Sequence, residues 1–210
     1  MQKIVIFDMD GTLIDSKKDI TISINYVREL NHNLKPLSEA FVVEAINMHD
    51  RNLAKLFYDT ELYEDRDRVI FEKHYKKQCT QNPYLYDGVE ELLHTLKEND
   101  IKLSVATNAP TVFAHTMLES LKVKELFDVI IGADKVKKSK PHPDMLYHIL
   151  QNYNYMQNND KAWMIGDNSK DMEAASNAEI EAIFAAWGFT SFGEYNKVVK
   201  TPKEVASIVL

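Results

Sequence analysis

The sequence has few of the features that secreted and membrane proteins need. Cys79 is the single cysteine, which excludes an internal disulfide and suits a reducing compartment. No segment approaches the roughly 18 consecutive apolar residues of a transmembrane helix. Near the N-terminus, Asp8 interrupts the apolar stretch after four residues, so we expect no signal peptide. Together these absences predict a soluble cytoplasmic protein.

An excess of positive charge is also missing. The chain has 25 Lys and Arg against 32 Asp and Glu, which gives a net charge of −7. An acidic protein of this kind is not expected to bind nucleic acid or an anionic membrane, although a small phosphorylated molecule fits if a few cations converge locally. The sequence has no glycine-rich Walker loop and no dinucleotide fingerprint. No pair of histidines has the spacing of zinc ligands.

Five continuous apolar runs, each followed by a polar turn, predict strands that are buried on both faces. These runs cover residues 3–8, 102–108, 127–134, 162–167 and 181–187. Helical patterns begin between them at Val89, Pro110, Pro143 and Ser169. The alternation predicts an α/β fold with a doubly wound, mainly parallel, Rossmann-like sheet.

Residues 16–82 interrupt this alternation with a series of helical patterns. A connection of this length is not expected to be a structureless loop in a compact domain. We therefore predict two domains: an α/β core formed by residues 1–15 and 83–210, and a helical domain inserted at residues 16–82.

Asp8 and Asp10 follow the first predicted strand directly, in the sequence "DMDGT". Like charges at a strand end repel one another, so fold stability gives no reason for the pair. The pattern suggests that Asp8 attacks phosphorus as a nucleophile and that Asp10 acts as the acid/base. The alternative is a turn-capping aspartate beside Gly11, which provides an unusual backbone conformation.

Three further groups follow other predicted strands or lie beside a proline. Asp167 and Asp171 lie in "GDNSKD", where Asp167 is a candidate Mg²⁺ ligand and Asp171 is a candidate for orienting the bound water or a neighbouring ligand. Thr107 and Asn108 precede a helix and predict either a phosphate cradle or a helix N-cap. Lys140, held extended before Pro141, is the cation expected to reach both the phosphate and Asp8.

In this order, the segments "DMDGT", "ATN", "SKPHPD" and "GDNSKD" resemble the four signature blocks of the haloacid dehalogenase superfamily. The resemblance covers essentially the whole chain. The inserted helices are similar to the cap domain of the branch that includes phosphoglycolate phosphatase and β-phosphoglucomutase.

The resemblance implies that Asp8 is the nucleophile, that Asp10 is the acid/base, and that Thr107 and Lys140 bind phosphate. It also implies Mg²⁺ as the cofactor, held by Asp8, Asp167 and the main-chain carbonyl of Asp10. Dehalogenases of the superfamily lack the second aspartate, so Asp10 argues against dehalogenation.

The sequence departs from the family pattern at two places. Related caps carry a glycine-bearing loop where this chain has "INMHDRN". His49 and Arg51 are therefore candidates for contacting the substrate, although a charged loop between helices predicts the same residues. The block after Asp171 usually ends in Ala-Gly, whereas this chain has "SNAE".

The resulting hypothesis is a Mg²⁺-dependent phosphatase that hydrolyses a small phosphorylated metabolite, such as phosphoglycolate, through an aspartyl-phosphate. One alternative is a phosphosugar mutase of the same fold, which passes the phosphoryl group to a sugar hydroxyl. A second is a non-catalytic, phospho-accepting regulatory module.

Overall fold

The computed structural model describes residues 1–48, 51–190 and 193–210. The chain divides into two compact units. One unit comprises Met1–Asp15 together with Leu85–Leu210, and the other comprises Ser16–Tyr84.

The larger unit is built on a six-stranded sheet whose strands are all parallel. In the described residues the strands of the chain are β1 Lys3–Phe7, β2 Ile14–Asp15, β3 Tyr84–Leu85, β4 Lys102–Thr107, β5 Val129–Gly132, β6 Lys161–Gly166, β7 Glu181–Ala185 and β8 Val198–Val199. The large sheet has the order β5-β4-β1-β6-β7-β8, and β2 pairs with β3 in a separate ribbon. The predicted α/β fold with a parallel sheet is confirmed.

Helices alternate with these strands in the larger unit and make up most of the smaller one. Within the described ranges they are α1 Lys17–His32, α2 Glu39–Asn47, α3 Leu53–Tyr58, α4 Asp65–Gln78, α5 Val89–Glu98, α6 Thr111–Ser120, α7 Asp144–Asn152, α8 Ser169–Asn177 and α9 Pro202–Val209. Of these helices, none combines the length and the apolar character needed to cross a membrane.

The side chains of the central strand β1 alternate between the two faces of the sheet. Ile4 and Ile6 pack on one face with buried residues of α7 and α8, including Ile149 and Ala174. Phe7 meets Phe127 edge-on, with ring centroids 6.4 Å apart. Strand β1 is buried on both sides because apolar residues continue through it without alternation.

The strand register brings the carboxyl ends of the three central strands to one edge. Phe7, the last residue of β1, pairs with Val105 of β4 and Ile165 of β6. The next residue, Asp8, donates its backbone N–H to the Ile165 carbonyl at 2.8 Å. The polar residues that follow β1, β4 and β6 therefore meet at the same edge, where ligands bind in open α/β sheets.

The smaller unit, Ser16–Tyr84, has its own apolar core between α1, α2 and α3. Val27, Val42 and Phe57 are buried there. Phe57 and Tyr58 are both buried in this core. The buried Asp19 carboxylate accepts hydrogen bonds from Gln78 Nε2 at 2.7 Å and Asn82 N at 2.9 Å, which connect α1 to the end of α4 and to the chain after it.

Candidate active site

The Lys140 ammonium lies between two buried carboxylates. Its Nζ donates to Asp8 Oδ1 at 2.7 Å and to Asp171 Oδ1 at 2.6 Å. Burial alone would lower the pKa of Lys140, but the charges of Asp171 and Asp8 outweigh burial and raise it. Lys140 is therefore a fixed cation directly beside the candidate nucleophile.

The backbone of Lys140 is held by a reciprocal pair of hydrogen bonds with Asn108. The Asn108 side chain donates from Nδ2 to the Lys140 carbonyl at 2.9 Å and accepts the Lys140 N–H on Oδ1 at 3.1 Å. The Lys140–Pro141 peptide bond is cis, and Asn177 Nδ2 donates to the Pro141 carbonyl at 3.1 Å. The amide that the sequence suggested for phosphate binding thus contacts the loop that carries Lys140.

Asp171 is placed by the start of α8. Asn168 is the N-cap residue, and its backbone N–H donates to Asp171 Oδ2 at 3.1 Å in a capping box. This leaves the other Asp171 oxygen directed at Lys140. A Cβ at Gly166 would lie 2.3 Å from the Asp171 carboxyl, so only glycine fits there. Burial raises the pKa of Asp171, while Lys140 opposes that shift and the Asp8 charge adds to it.

Asp167 follows β6 and is held by three hydrogen bonds. Its Oδ1 accepts from the Thr12 hydroxyl at 3.1 Å, and its Oδ2 accepts the backbone N–H groups of Phe189 at 2.9 Å and Thr190 at 3.2 Å. Gly11 has a φ of 90°, and a Cβ there would lie 2.5 Å from Asp167 Oδ2. The glycine of "DMDGT" is therefore required both by its backbone conformation and by the closeness of Asp167.

Asp8, Asp167 and Asp171 form a compact, buried group of carboxylates. One oxygen from each lies within 4.8 Å of the others. Burial raises the pKa of Asp167 well above its ordinary value, and the negative charges of Asp8 and Asp171 raise it further. The Lys140 ammonium contacts both Asp8 and Asp171 and offsets part of this negative charge. A hard divalent cation with oxygen ligands, such as Mg²⁺, fits this donor set because it would relieve the repulsion.

Thr107 and Asp10 lie on the same edge of the core unit. Thr107 is the last residue of β4 and is 1% exposed, and its hydroxyl accepts the Ala109 N–H at 3.1 Å. Pro110, rather than Thr107 or Asn108, is the N-cap residue of α6. Asp10 forms an isolated bridge with Ile14 in the turn that follows β1.

His49 and Arg51 were the two candidates in the inserted helices for contacting the substrate. His49 lies outside the described residues. Arg51 belongs to the smaller unit, where its Nη1 donates to the Met48 carbonyl at 3.2 Å, and burial lowers its pKa. Its contact with the Met48 carbonyl connects the two ends of the loop between α2 and α3.

One feature of this edge was not found from the sequence. The segment Trp187–Thr190 provides both backbone amides that bind Asp167, and the only signal for it is an apolar strand followed by "WG". Asp134, the last residue of the predicted run 127–134, accepts from the backbone N–H and the hydroxyl of Thr111 at 2.6 and 2.7 Å. Asp134 thus holds the first turn of α6.

This chain is similar to known proteins both in sequence and in structure. Phosphoglycolate phosphatase of Colwellia psychrerythraea is 31% identical over 207 residues, which cover 92% of this chain and 88% of that protein. Phosphoglycolate phosphatase of Haemophilus influenzae is 27% identical, covering 89% and 87%. A crystal structure of a predicted phosphoglycolate phosphatase from Haemophilus somnus superposes with a TM-score of 0.84 at 24% identity, covering 100% of this chain and 98% of that one.

The family model of haloacid dehalogenase-like hydrolases matches residues 5–185. This range begins within β1 and ends at the last residue of β7, so it includes all four motifs and the inserted helices. The resemblance inferred from the motifs is confirmed. The chain belongs to the haloacid dehalogenase-like hydrolase family.

Proposed function

We propose that this chain hydrolyses a small phosphorylated metabolite through an aspartyl-phosphate on Asp8, with phosphoglycolate as the first substrate to test. The family and the phosphoglycolate phosphatase relatives both support the predicted enzyme class, a haloacid dehalogenase-type phosphatase. The observation that carries the mechanism is the contact of 2.7 Å between Lys140 Nζ and Asp8 Oδ1.

In the first half-reaction, a carboxylate oxygen of Asp8 attacks phosphorus and the bond from phosphorus to the leaving oxygen breaks. Asp10 protonates that oxygen, so the alcohol leaves neutral. Lys140 balances negative charge as the phosphoryl group approaches a carboxylate, and preorganised positive charge is the main source of catalysis in such a step. The Thr107 hydroxyl is proposed as a phosphate ligand.

In the second half-reaction, water attacks the phosphorus of the aspartyl-phosphate. Asp10, now ionised, accepts a proton from this water, and the bond between phosphorus and the Asp8 oxygen breaks. Inorganic phosphate leaves and the Asp8 carboxylate is restored. The same acid/base group therefore serves both steps and ends each cycle in its starting state.

Mg²⁺ is the proposed cofactor, with Asp8, Asp167 and the main-chain carbonyl of Asp10 as its protein ligands. When bound, it would offset the charge of the phosphate oxygens beside the carboxylates. Asp171 is proposed to act through Lys140, because its second oxygen is used by the capping box of α8. The unit Ser16–Tyr84 is the proposed cap that excludes water and selects the leaving group.

The experiment is phosphate release with Mg²⁺ from phosphoglycolate, sugar phosphates, nucleoside monophosphates, pyridoxal phosphate and pyrophosphate. Asp8→Asn serves as the control, because it removes the nucleophile while keeping a side chain of the same shape. We expect one small organic phosphate to be hydrolysed well above the rest, and Asp8→Asn to release none.

Three other results would contradict the proposal. Release that depends on a sugar bisphosphate activator would favour the mutase. A folded protein that binds Mg²⁺ and keeps its phospho-aspartate for many minutes would favour the regulatory module. Release by Asp8→Asn at the wild-type rate would exclude Asp8 as the nucleophile.

A further inference from the structure

The segment Trp187–Thr190, which follows β7, is not part of any of the four motifs. It nevertheless touches two of their residues. Phe189 and Thr190 donate their backbone N–H groups to Asp167 Oδ2 at 2.9 and 3.2 Å. The Trp187 indole Nε1 donates to the Thr12 carbonyl at 2.9 Å, within the turn that carries Asp8 and Asp10.

Gly188 lies against Gly11 of the turn after β1 and against Asp167. A Cβ at Gly188 would lie 1.8 Å from the Gly11 carbonyl oxygen and 2.7 Å from Asp167 Cβ. Both neighbours are fixed, since one is backbone and the other is the first side-chain carbon of a buried residue. Any side chain at this position would therefore push the turn, Asp167 or the segment itself out of place.

These hydrogen bonds hold both oxygens of the Asp167 carboxylate and also connect two of the groups that hold it. Thr12 binds one oxygen of the carboxylate through its hydroxyl, and Trp187 binds the carbonyl of that same Thr12. The two amides after Gly188 bind the other oxygen. The orientation of Asp167 thus depends on both the turn after β1 and the segment after β7.

We infer that Trp187–Thr190 is a positioning element for the cation site. Trp187 and Gly188 are the residues that determine where this segment lies relative to Asp167 and the turn after β1. This inference rests on the proposed function, because it assigns the segment to the proposed ligand Asp167. The segment holds the carboxylate in one orientation and fixes its spacing from Asp8. Groups that orient metal ligands in this way typically change metal affinity by about 10–100-fold when they are altered.

The test is Mg²⁺ binding by titration calorimetry to wild type, Gly188→Ala and Trp187→Phe, with folding checked by circular dichroism. We expect Gly188→Ala to weaken binding by at least about tenfold. Trp187→Phe keeps an aromatic ring and loses one hydrogen bond, so a loss of about fivefold is expected.

The chain offers a matched control for the tryptophan. It has two tryptophans, and Trp163 lies in β6, the strand that leads to Asp167. Trp163 is 3% exposed, and its Nε1 has no hydrogen-bond partner among the residues that the structure describes. Trp163→Phe therefore removes a buried indole N–H without removing a hydrogen bond to the site, and Mg²⁺ affinity should stay at the wild-type value.

The control variant Trp163→Phe also provides a spectroscopic measurement of Mg²⁺ binding. In Trp163→Phe the remaining indole is Trp187, whose fluorescence should change as Mg²⁺ is added. Equal Mg²⁺ affinity in wild type, Gly188→Ala and Trp187→Phe would overturn the inference and leave the proposed function intact. A folded wild-type protein that binds no Mg²⁺ would overturn the proposed metal site and this inference together.

Discussion

Asp8 and Lys140 are 132 positions apart in the chain, yet Lys140 Nζ donates to Asp8 Oδ1 at 2.7 Å. Strand β1 places Asp8 at the carboxyl edge of the sheet, and Lys140 reaches it from the loop before α7. Asp171 binds the same ammonium at 2.6 Å. The proposed chemistry depends on this arrangement, because it places a positive charge in direct contact with the proposed nucleophile.

Replacing Lys140 by methionine keeps most of the side-chain volume and removes the charge. We expect kcat to fall by about 10²–10³-fold, the usual cost of losing one preorganised charge-stabilising group. Lys138→Met is the matched control, since Lys138 is an exposed lysine of the same loop, and its rate should not change. Steady-state kinetics on the best substrate measures both, and a Lys140→Met rate within tenfold of wild type would contradict this role.

Asn108→Ala removes both hydrogen bonds that hold the Lys140 backbone. We expect kcat to fall by about 30-fold, because two hydrogen bonds of roughly 1 kcal/mol each fix the loop. The control is Asn158→Ala, at an exposed asparagine. If Asn108 instead contacts the phosphate directly, KM should rise while kcat changes little.

Asp134 makes the stability of the first turn of α6 depend on pH. Burial would raise the pKa of Asp134, but the hydrogen bonds from the Thr111 amide and hydroxyl outweigh burial and lower it. A carboxyl whose pKa is lower in the folded state stabilises the protein above its unfolded pKa of about 3.9. This stabilisation is lost as the pH falls through the folded-state value.

Asp134→Ala should therefore reduce the free energy of unfolding by about 1 kcal/mol at pH 7, as for a lost helix cap. This corresponds to a fall in Tm of about 2–4 °C. Asp134→Asn keeps an oxygen acceptor, so it should lose less at pH 7. Melting curves at pH 7 and at acid pH test this, and a deficit of Asp134→Ala that does not shrink below about pH 4 would contradict it.

Glu179 occupies the position where the family pattern has glycine. Its φ is 56°, the left-handed conformation that ends α8, and Ile180 N–H closes the turn on the Ala175 carbonyl at 3.1 Å. The turn after α8 is thus formed with Glu179, although the left-handed conformation disfavours residues that have a Cβ.

Glu179→Gly should stabilise the protein by up to about 1 kcal/mol and raise Tm by about 2–4 °C. Glu179→Ala removes the same carboxylate but keeps a Cβ, so it should not gain this stability. Equal shifts in the two variants would assign the effect to the charge, or to the hydrogen bond from Gln157 Nε2 at 3.3 Å, rather than to the backbone.

The main strands and helices could be predicted because their signals are local. Predicted runs 3–8 and 102–108 end one residue beyond β1 Lys3–Phe7 and β4 Lys102–Thr107, since continuous apolar residues mark buried strands. Strand β8 and helix α9 were not predicted. Strand β8 has two residues, too few for a periodic pattern, and it is defined by its pairing with β7.

The candidate site was predicted less completely because its contacts are not local. Asp8, Asp167 and Lys140 could be named because each follows a strand or lies within a motif. The amides of Phe189 and Thr190 are backbone groups, so no side chain in the sequence marks them. The use of Asn108 to hold Lys140 depends on a loop geometry that neither local sequence determines.

The most direct test is acid quenching of a single turnover with the fastest substrate of the panel, followed by peptide mapping of the protein. We expect a phosphoryl group on Asp8, present transiently in wild type and formed more slowly in Asp10→Asn, where the acid that protonates the leaving oxygen is lost. Asp8→Asn should carry none. Phosphate release without any phosphorylated protein, or with the phosphoryl group on another residue, would contradict the account.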